Sequence, residues 1–221
     1  MSTSPTPKFS VDLIVFDLDG TLADSLPDLT AAANFACRTL GIPEHSPQEI
    51  MKMIGGGEKN LVHRFLGPDH QDRFEEALAL YINRYGEHAG DATRLYPGVL
   101  ETLAHLSGKK LAVLSNKMER LTRRVLEALG VAHFFVAMKG GDSYPAMKPS
   151  PEPLLALIRE QGAAPARTLM VGDKPADVLT GREAGAHTVA VTYGYGELEV
   201  LTAAGPELLL PELTALPHYL A

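Results

Sequence analysis

The hydrophobic pattern of the chain divides it into three parts. Leu13 to Phe16 is an uninterrupted apolar run rich in β-branched and aromatic residues, which predicts a buried strand. From Asp24 to about Tyr96, apolar residues recur at helical spacing, with no convincing strand between them. From Pro97 onward, short apolar runs alternate with helical patterns. Strands that alternate with helices predict a parallel sheet covered on both faces.

The pattern also predicts the individual elements. The middle part contains predicted helices at 27–40, 47–53, 60–66 and 71–87. The last part contains predicted helices at 97–106, 118–129, 151–161 and 175–184, and predicted strands at 110–115, 134–138, 168–172 and 187–191. The Leu- and Pro-rich tail beyond Leu198 predicts one short strand and one helix.

These elements predict an α/β fold, with a doubly wound, Rossmann-like parallel sheet as its core and an inserted all-helical cap. We expect the core domain to comprise residues 1–23 and 96–221 and the cap to comprise residues 24–95, with linkers near 23–25 and 94–97.

Composition narrows the class of protein. The 221 residues are 45% hydrophobic, enough for a substantial core, and the net charge of -7 argues against a nucleic-acid partner. No apolar stretch is long enough for a membrane span, and residues 1–8 predict a loose tail rather than a signal peptide. The lone Cys37 lies in a helical pattern, which predicts a buried thiol in a reducing compartment. We therefore expect a cytoplasmic protein without a membrane partner, either a monomer or a homodimer.

Polar residues follow three of the predicted strands. Asp17 and Asp19 follow the first, Ser115 follows the second, and Asp173 ends another. Ligands of open α/β sheets bind outside the carboxyl ends of the strands, so these side chains are expected to share a site. Each also has a plainer interpretation, since Ser and Asp after a strand are often only helix caps.

Two further residues fit the same site. Lys148 precedes a proline and a predicted helix, although a single loop lysine is usually a solvated surface charge. Asp177 lies four residues after Asp173, so both carboxylates could face one site, and such hard oxygen ligands suit Mg²⁺.

Taken in order, four motifs resemble those of the haloacid dehalogenase superfamily of phosphatases, from Val11 to about Gly196, and are most similar to its phosphoglycolate phosphatase branch. The motifs are Asp17-Leu-Asp-Gly-Thr21, Leu114-Ser-Asn-Lys117, Lys148-Pro and Val171-Gly-Asp-Lys-Pro-Ala-Asp177. The resemblance implies that Asp17 forms an aspartyl-phosphate and that Asp19 acts as general acid and base.

The resemblance also assigns the supporting roles. Mg²⁺ is expected on the carboxylates of Asp17 and Asp173 and on the main-chain carbonyl of Asp19, with Asp177 behind them. Ser115, Asn116 and Lys148 are expected to hold the phosphoryl oxygens, and Thr21 of the first motif to help bind substrate.

Substrate recognition is expected from the cap. Gly56, Gly57 and Lys59 lie in a glycine-rich stretch that resembles the specificity loop of capped phosphatases, although it could be only a flexible turn. Lys59 or nearby backbone amides could meet a substrate carboxylate. The segment Tyr193-Gly-Tyr195 also resembles the phosphoglycolate phosphatase branch, whereas Lys174 departs from it, because a serine usually follows the metal-binding Asp there. Lys174 could add positive charge beside the metal site or point to solvent, and we favour solvent.

The function expected from this resemblance is Mg²⁺-dependent hydrolysis of a small phosphorylated metabolite, foremost 2-phosphoglycolate. Alternatives are a phosphatase of another sugar phosphate, a nucleotide or pyrophosphate, and a phosphomutase resembling β-phosphoglucomutase. A protein that binds phosphate without catalysis is the alternative from a different class.

Overall fold

The computed structural model describes residues 9–221, so the predicted loose tail at residues 1–8 lies outside the described residues. The predicted parallel sheet is confirmed. Its six strands are parallel to their neighbours, in the order β5-β4-β1-β6-β7-β8. The described strands are β1 (Leu13–Phe16), β2 (Ala23–Asp24), β3 (Arg94–Leu95), β4 (Lys110–Leu114), β5 (Ala137–Lys139), β6 (Thr168–Gly172), β7 (His187–Val191) and β8 (Leu208–Leu210).

Helices cover both faces of this sheet, and four of them form the inserted segment. The described α-helices are α1 (Leu26–Leu40), α2 (Pro47–Met53), α3 (Gly57–Leu66), α4 (Phe74–His88), α5 (Val99–His105), α6 (Glu119–Ala128), α7 (Glu152–Glu160), α8 (Pro175–Glu183) and α9 (Leu198–Ala203). The fold class expected from the sequence is thereby confirmed, whereas the exact division into domains stays a prediction.

Strand β1 lies at the centre and supplies side chains to both faces of the core. Ile14 and Phe16 pack in one apolar cluster with residues of α5 and α6, whereas Leu13 and Val15 pack in a second cluster with residues of α7. All four are fully buried. A strand buried on both faces needs no polar alternation, which is why its sequence is a continuous apolar run.

Several boundaries differ from the prediction. Pro97 precedes α5 instead of lying in its first turn, and Gly98, at φ +77°, is the residue before the helix. The strand expected from Phe134 begins at Ala137, because a short 3₁₀ turn occupies 132–134. Cys37 is buried as predicted, and burial raises the pKa of its thiol to about 11.

The two predicted linkers pair with each other as a short antiparallel ribbon. Ala23 lies opposite Leu95, and Asp24 lies opposite Arg94. Strands of two residues are too short to produce a hydrophobic period, so no sequence pattern indicates this pairing. The ribbon fixes the place where the inserted helices leave and rejoin the sheet domain.

Asp28 anchors this junction from inside α1. Its buried carboxylate accepts hydrogen bonds from the backbone N–H of Gly90, Ala92 and Thr93 and from the Thr93 hydroxyl, at 2.6–3.2 Å. Burial raises the pKa of Asp28, but these hydrogen bonds together lower it by more, so the pKa lies below its usual range.

Asp28→Ala is expected to lower the free energy of unfolding by about 3 kcal/mol, because it leaves buried backbone donors without an acceptor. Since the folded-state pKa is depressed, this contribution is present above the unfolded pKa and is lost as the pH falls below about 4. Urea unfolding of wild type, Asp28→Ala and Asp28→Asn measures it. A deficit that does not shrink in acid would contradict the assigned role of the charge.

Candidate active site

The carboxyl ends of three neighbouring strands bring the predicted polar residues to one edge of the sheet. Asp17 follows β1, Ser115 follows β4 and Asp173 follows β6. The ladder continues into the site, because Asp17 N–H donates to the carbonyl of Val171 at 2.9 Å and Ser115 N–H donates to the carbonyl of Lys139 at 3.0 Å. Their position at the strand ends was thus predictable from the sequence.

Lys148 lies at the centre of this group. Its Nζ is 2.9 Å from Asp17 Oδ1 and 2.6 Å from Asp177 Oδ1, and the side chain is 3% exposed. Burial lowers the pKa of Lys148, but the two carboxylates raise it by more, and its pKa lies above the usual lysine range. The ammonium is therefore charged at neutral pH, beside the candidate nucleophile.

Three carboxylates form a compact acidic cluster. Asp17, Asp173 and Asp177 each place an oxygen within 4.8 Å of the others, and all three are buried. Burial, opposed by the Lys148 charge and reinforced by neighbouring carboxylates, raises the pKa of Asp17 to about 6. Burial and the charges of Asp17 and Asp177 raise the pKa of Asp173 to about 7. Three buried carboxylates this close together form a site that suits a bound divalent cation.

The remaining oxygens of this cluster are held by neighbouring groups. Asp177 Oδ2 accepts from the backbone N–H of Lys174 at 3.1 Å, while its Oδ1 contacts Lys148. Thr21, predicted to bind substrate, is fully buried, and its hydroxyl donates to Asp173 Oδ1 at 3.1 Å. In this structure the Thr21 hydroxyl thus orients a carboxylate of the cluster, and it does not line the cavity described below.

Gly20 leaves room for the acidic cluster. It has φ +87°, and a Cβ at this position would lie 2.3 Å from Asp173 Oδ2. Both the conformation and the space therefore demand glycine between Asp19 and Thr21.

The Asn116 side chain contacts the backbone of Lys148. Its Nδ2 donates to the carbonyl of Lys148 at 2.8 Å, and its Oδ1 accepts from Lys148 N–H at 2.9 Å. Both ends of the amide are therefore engaged by one backbone unit. In this arrangement Asn116 positions Lys148, and its side chain is not free to hold a phosphoryl oxygen.

Lys117 is a site residue for which the sequence suggested no role. Its buried Nζ lies 2.6 Å from Asp19 Oδ1 and 2.8 Å from the hydroxyl of Tyr85, which belongs to α4. Asp19 also accepts a short hydrogen bond from the Ser25 hydroxyl. Lys117 therefore joins the candidate general acid to the inserted helices. Its place in the Ser-Asn-Lys motif was the one available signal.

A cavity of about 80 Å³ lies between the strand ends and the inserted helices. It is lined from the sheet side by the polar site residues and from the other side by the glycine-rich stretch and further cap residues. Those sheet-side residues are Asp17, Asp19, Ser115, Asn116, Lys117, Lys148, Lys174 and Asp177, and those on the cap side include Gly55, Gly56, Gly57, Glu58 and Tyr81.

Glu58 and the glycines bring the cap loop against the sheet domain. The Glu58 carboxylate accepts from Met118 N–H at 3.1 Å, and burial raises the pKa of Glu58. Gly57 has φ +81°, and a Cβ there would lie 2.8 Å from the Asn116 carbonyl. Gly56 and Gly57, which the sequence predicts to bind substrate, line the cavity. Glu58 is not predictable from the sequence, because a helical glutamate is usually solvated.

The two lysines of the substrate region do not lie where the sequence suggested. Lys59 is exposed on α3 and does not line the cavity. Lys174, expected to point to solvent, lines the cavity instead, and its Nζ donates to the carbonyl of Ile54 at 2.5 Å. The solvent expectation was wrong because the cap loop folds over the start of α8, a contact distant in sequence.

Tyr195 connects the loop after β7 to both the junction and the acidic cluster. Its hydroxyl accepts from the N–H groups of Ser25 and Leu26 and donates to Asp24 Oδ1, at 2.8–3.0 Å. Its own N–H donates to Asp173 Oδ2 at 2.8 Å. The Tyr-Gly-Tyr segment therefore supports the site from behind rather than acting as an ordinary turn.

Comparison with known proteins agrees with this geometry. Residues 14–191 match the family model of haloacid dehalogenase-like hydrolases. A phosphoglycolate phosphatase of Pseudomonas putida is 39% identical over 212 residues, covering 92% of this chain and 78% of that protein. A phosphoglycolate phosphatase of Chromobacterium violaceum is 38% identical over 200 residues, covering 87% of this chain and 90% of that protein.

Comparison with solved structures gives a similar protein. A crystal structure of a predicted phosphoglycolate phosphatase from Haemophilus somnus superposes with a TM-score of 0.89 at 34% identity, covering 94% of this chain and 96% of that one. Within residues 9–221, no helix combines the length and apolarity needed to cross a bilayer. Because the family model spans most of the chain and the relatives cover it nearly throughout, the chain belongs to the haloacid dehalogenase-like hydrolases and is a phosphatase.

Proposed function

We propose that this phosphatase is a Mg²⁺-dependent phosphomonoesterase that acts on 2-phosphoglycolate through a phosphorylated Asp17. One observation carries the proposal: Asp17 lines the cavity between the strand ends and the inserted helices, contacts the Lys148 ammonium and shares an acidic cluster with Asp173 and Asp177. A carboxylate so placed can attack phosphorus while a fixed positive charge lies beside it.

The donor set fits Mg²⁺, since the cluster consists of buried carboxylate oxygens, and burial raises the pKa values of Asp17 and Asp173. Asp17, Asp173 and the main-chain carbonyl of Asp19 would hold the ion. Asp177 would stay behind them, because Lys148 and the Lys174 N–H already engage its oxygens. When bound, Mg²⁺ supplies charge that offsets the repulsion between the Asp17 carboxylate and the substrate phosphate.

The reaction would then proceed in two displacements. In the first, an Asp17 carboxylate oxygen forms a bond to phosphorus, the bond from phosphorus to the glycolate oxygen breaks, and Asp19 gives that oxygen a proton. In the second, Asp19 takes a proton from water as the water oxygen bonds to phosphorus. The bond to Asp17 breaks, and inorganic phosphate leaves with the Asp17 carboxylate and the protonated Asp19 carboxyl group restored.

Ser115 and Lys148 would hold the phosphoryl oxygens during both steps, while Asn116 keeps the Lys148 backbone in place. The inserted helices would exclude bulk water, since Lys117, Glu58 and Lys174 each bond across to the opposite wall.

Two observations support a small acidic substrate. Curated relatives that are 34–39% identical are named phosphoglycolate phosphatase. The cavity is lined by three lysines, Lys117, Lys148 and Lys174, whose positive charge suits an anionic ligand.

The test is phosphate release from 2-phosphoglycolate, sugar phosphates, nucleotides and pyrophosphate, with Mg²⁺ and with chelator. We expect 2-phosphoglycolate to give the highest kcat/KM and chelation to abolish release. A higher kcat/KM for another substrate would refute the substrate assignment. An isomerised sugar phosphate as product would identify a phosphomutase, and no release from any substrate would favour a binding protein.

Mg²⁺ is also expected to stabilise the fold in a pH-dependent way. At a hundredfold excess over its dissociation constant, Mg²⁺ should raise the free energy of unfolding by about 2.7 kcal/mol. The effect should be larger near pH 8 than near pH 5, because protons on Asp17 and Asp173, with pKa values of about 6 and about 7, must leave before the ion binds.

Without metal, the dependence of stability on pH has the opposite direction. Raised carboxyl pKa values mean that the folded state binds protons more tightly than the unfolded state, so stability in chelator should fall as the pH rises through about 6 and 7. Thermal unfolding of wild type, Asp173→Asn and the exposed control Asp69→Asn measures both effects. Equal Mg²⁺ stabilisation of wild type and Asp173→Asn would contradict the assigned ligand.

A further inference from the structure

Lys174 differs from the other two lysines that line the cavity. Lys148 is ion-paired with Asp17 and Asp177, and Lys117 is ion-paired with Asp19. Among residues 9–221, the ion pairs do not include Lys174, whose ammonium donates to the neutral carbonyl of Ile54. The cavity therefore contains one cation whose charge no neighbouring carboxylate pairs directly.

The position of this cation matches the leaving portion of a substrate. The phosphate would lie against the strand ends, at Asp17, Ser115 and Lys148. The remainder of the substrate must then extend toward the cap loop, where the Lys174 ammonium meets Ile54. A Cβ on the next residue, Gly55, would lie 3.8 Å from Lys174 Nζ, so the loop backbone approaches the ammonium closely.

The Lys174 ammonium also has further N–H donors available. A lysine carries three N–H donors, and the Ile54 carbonyl takes one of them. A carboxylate could therefore be bound without releasing the contact between core and cap.

We propose that Lys174 is the residue that recognises the carboxylate of the substrate, and so sets the preference for phosphate esters of small hydroxy acids over neutral phosphate esters. The inference rests on the proposed function and names the group responsible for its specificity. It replaces Lys59, which the sequence suggested for this role and which lies exposed outside the cavity.

The test compares two substrates of equal length, 2-phosphoglycolate and 2-hydroxyethyl phosphate, in which a hydroxymethyl group replaces the carboxylate. Lys174→Gln should lower kcat/KM for 2-phosphoglycolate by about 10- to 100-fold, chiefly through KM, because a charge-assisted hydrogen bond is lost in ground and transition states alike. Its kcat/KM for 2-hydroxyethyl phosphate should fall much less, because for that substrate only the contact of Lys174 with Ile54 is lost. Lys174→Arg should recover part of the preference, and Lys52→Gln, a change of an exposed cap lysine, should leave both substrates unaffected.

A binding measurement separates recognition from turnover. In the Asp17→Asn background, calorimetric titration with 2-phosphoglycolate should show affinity falling about 10- to 100-fold on adding Lys174→Gln.

Four outcomes would overturn the inference. An equal loss of kcat/KM for both substrates in Lys174→Gln would mean that Lys174 only holds the core and the cap together. An unchanged ratio of the two kcat/KM values in Lys174→Gln would mean that Lys174 does not recognise the carboxylate. Loss of the preference in Lys59→Gln instead would return the role to Lys59. Wild-type enzyme without any preference for 2-phosphoglycolate would refute both this inference and the proposed substrate. A wild-type preference that survives Lys174→Gln would refute this inference alone.

Discussion

Asp17→Asn should abolish phosphate release, with kcat lower by on the order of 10⁴-fold or more, the scale expected when an enzyme loses its nucleophile. An amide cannot form the acyl-phosphate bond, and it also removes one of the oxygens proposed to hold Mg²⁺. The measurement is steady-state release of phosphate from 2-phosphoglycolate at saturating Mg²⁺.

The fold should tolerate this change. Burial and the carboxylates of Asp177 and Asp19 already disfavour the charge of Asp17, whose pKa is about 6, so a neutral amide relieves repulsion in the acidic cluster. Lys148 keeps Asp177 as its ion-pair partner. We therefore expect a thermal midpoint in chelator equal to or above that of wild type.

Asp12→Asn is the matched control. Asp12 lies just before β1, at the end of the strand opposite Asp17, and forms an exposed ion pair with Arg167. Its replacement should leave kcat unchanged. An Asp17→Asn variant that folds and keeps a substantial fraction of wild-type kcat would show that another group attacks phosphorus.

Lys148→Met should have the second largest effect, lowering kcat by about 10²- to 10³-fold. The ammonium is the fixed positive charge closest to Asp17, and its loss leaves the developing charge on the phosphoryl oxygens without that donor. Release of phosphate at saturating substrate and Mg²⁺ measures the loss.

The same change should cost stability, because Lys148 is nearly inaccessible to solvent and pairs with two carboxylates. Removing one member of a buried ion pair typically costs about 3–5 kcal/mol. Urea unfolding of wild type and Lys148→Met near neutral pH measures this second effect.

A double variant separates the two effects. Adding Asp177→Asn to Lys148→Met removes a carboxylate that has lost its partner, so part of the stability should return while kcat stays low. Recovery of kcat together with stability would mean that Lys148 acts only by holding the fold together. A folded Lys148→Met protein with the wild-type kcat would show that Lys148 takes no part in the reaction.

The residues at the strand ends were predictable because two simple rules fix their place. A continuous apolar run marks a strand buried on both faces, and parallel strands present their carboxyl ends at one edge. Asp17, Ser115 and Asp173 follow such runs directly. Lys148, in contrast, lies in a loop, and only the order of motifs in the resembling family suggested that it reaches Asp17.

The contacts between the core and the inserted helices could not be predicted in the same way. The bonds of Lys117 to Tyr85 and of Lys174 to Ile54 join residues 32 and 120 positions apart, and neither pattern nor spacing encodes such a pairing. The glycine-rich stretch suggests Lys59 or a nearby backbone amide as the contact to a substrate carboxylate, whereas α3 points the Lys59 side chain to solvent. Sequence patterns specified the elements, and packing between them decided which lysine entered the cavity.

The stereochemical course at phosphorus tests the central claim most directly. The substrate would be 2-phosphoglycolate made chiral at phosphorus with sulfur and heavy oxygen isotopes, hydrolysed in isotopically labelled water. Each in-line displacement inverts phosphorus, so attack by Asp17 followed by attack of water predicts net retention. Net inversion would show that water attacks the substrate directly, and it would contradict a phosphorylated Asp17.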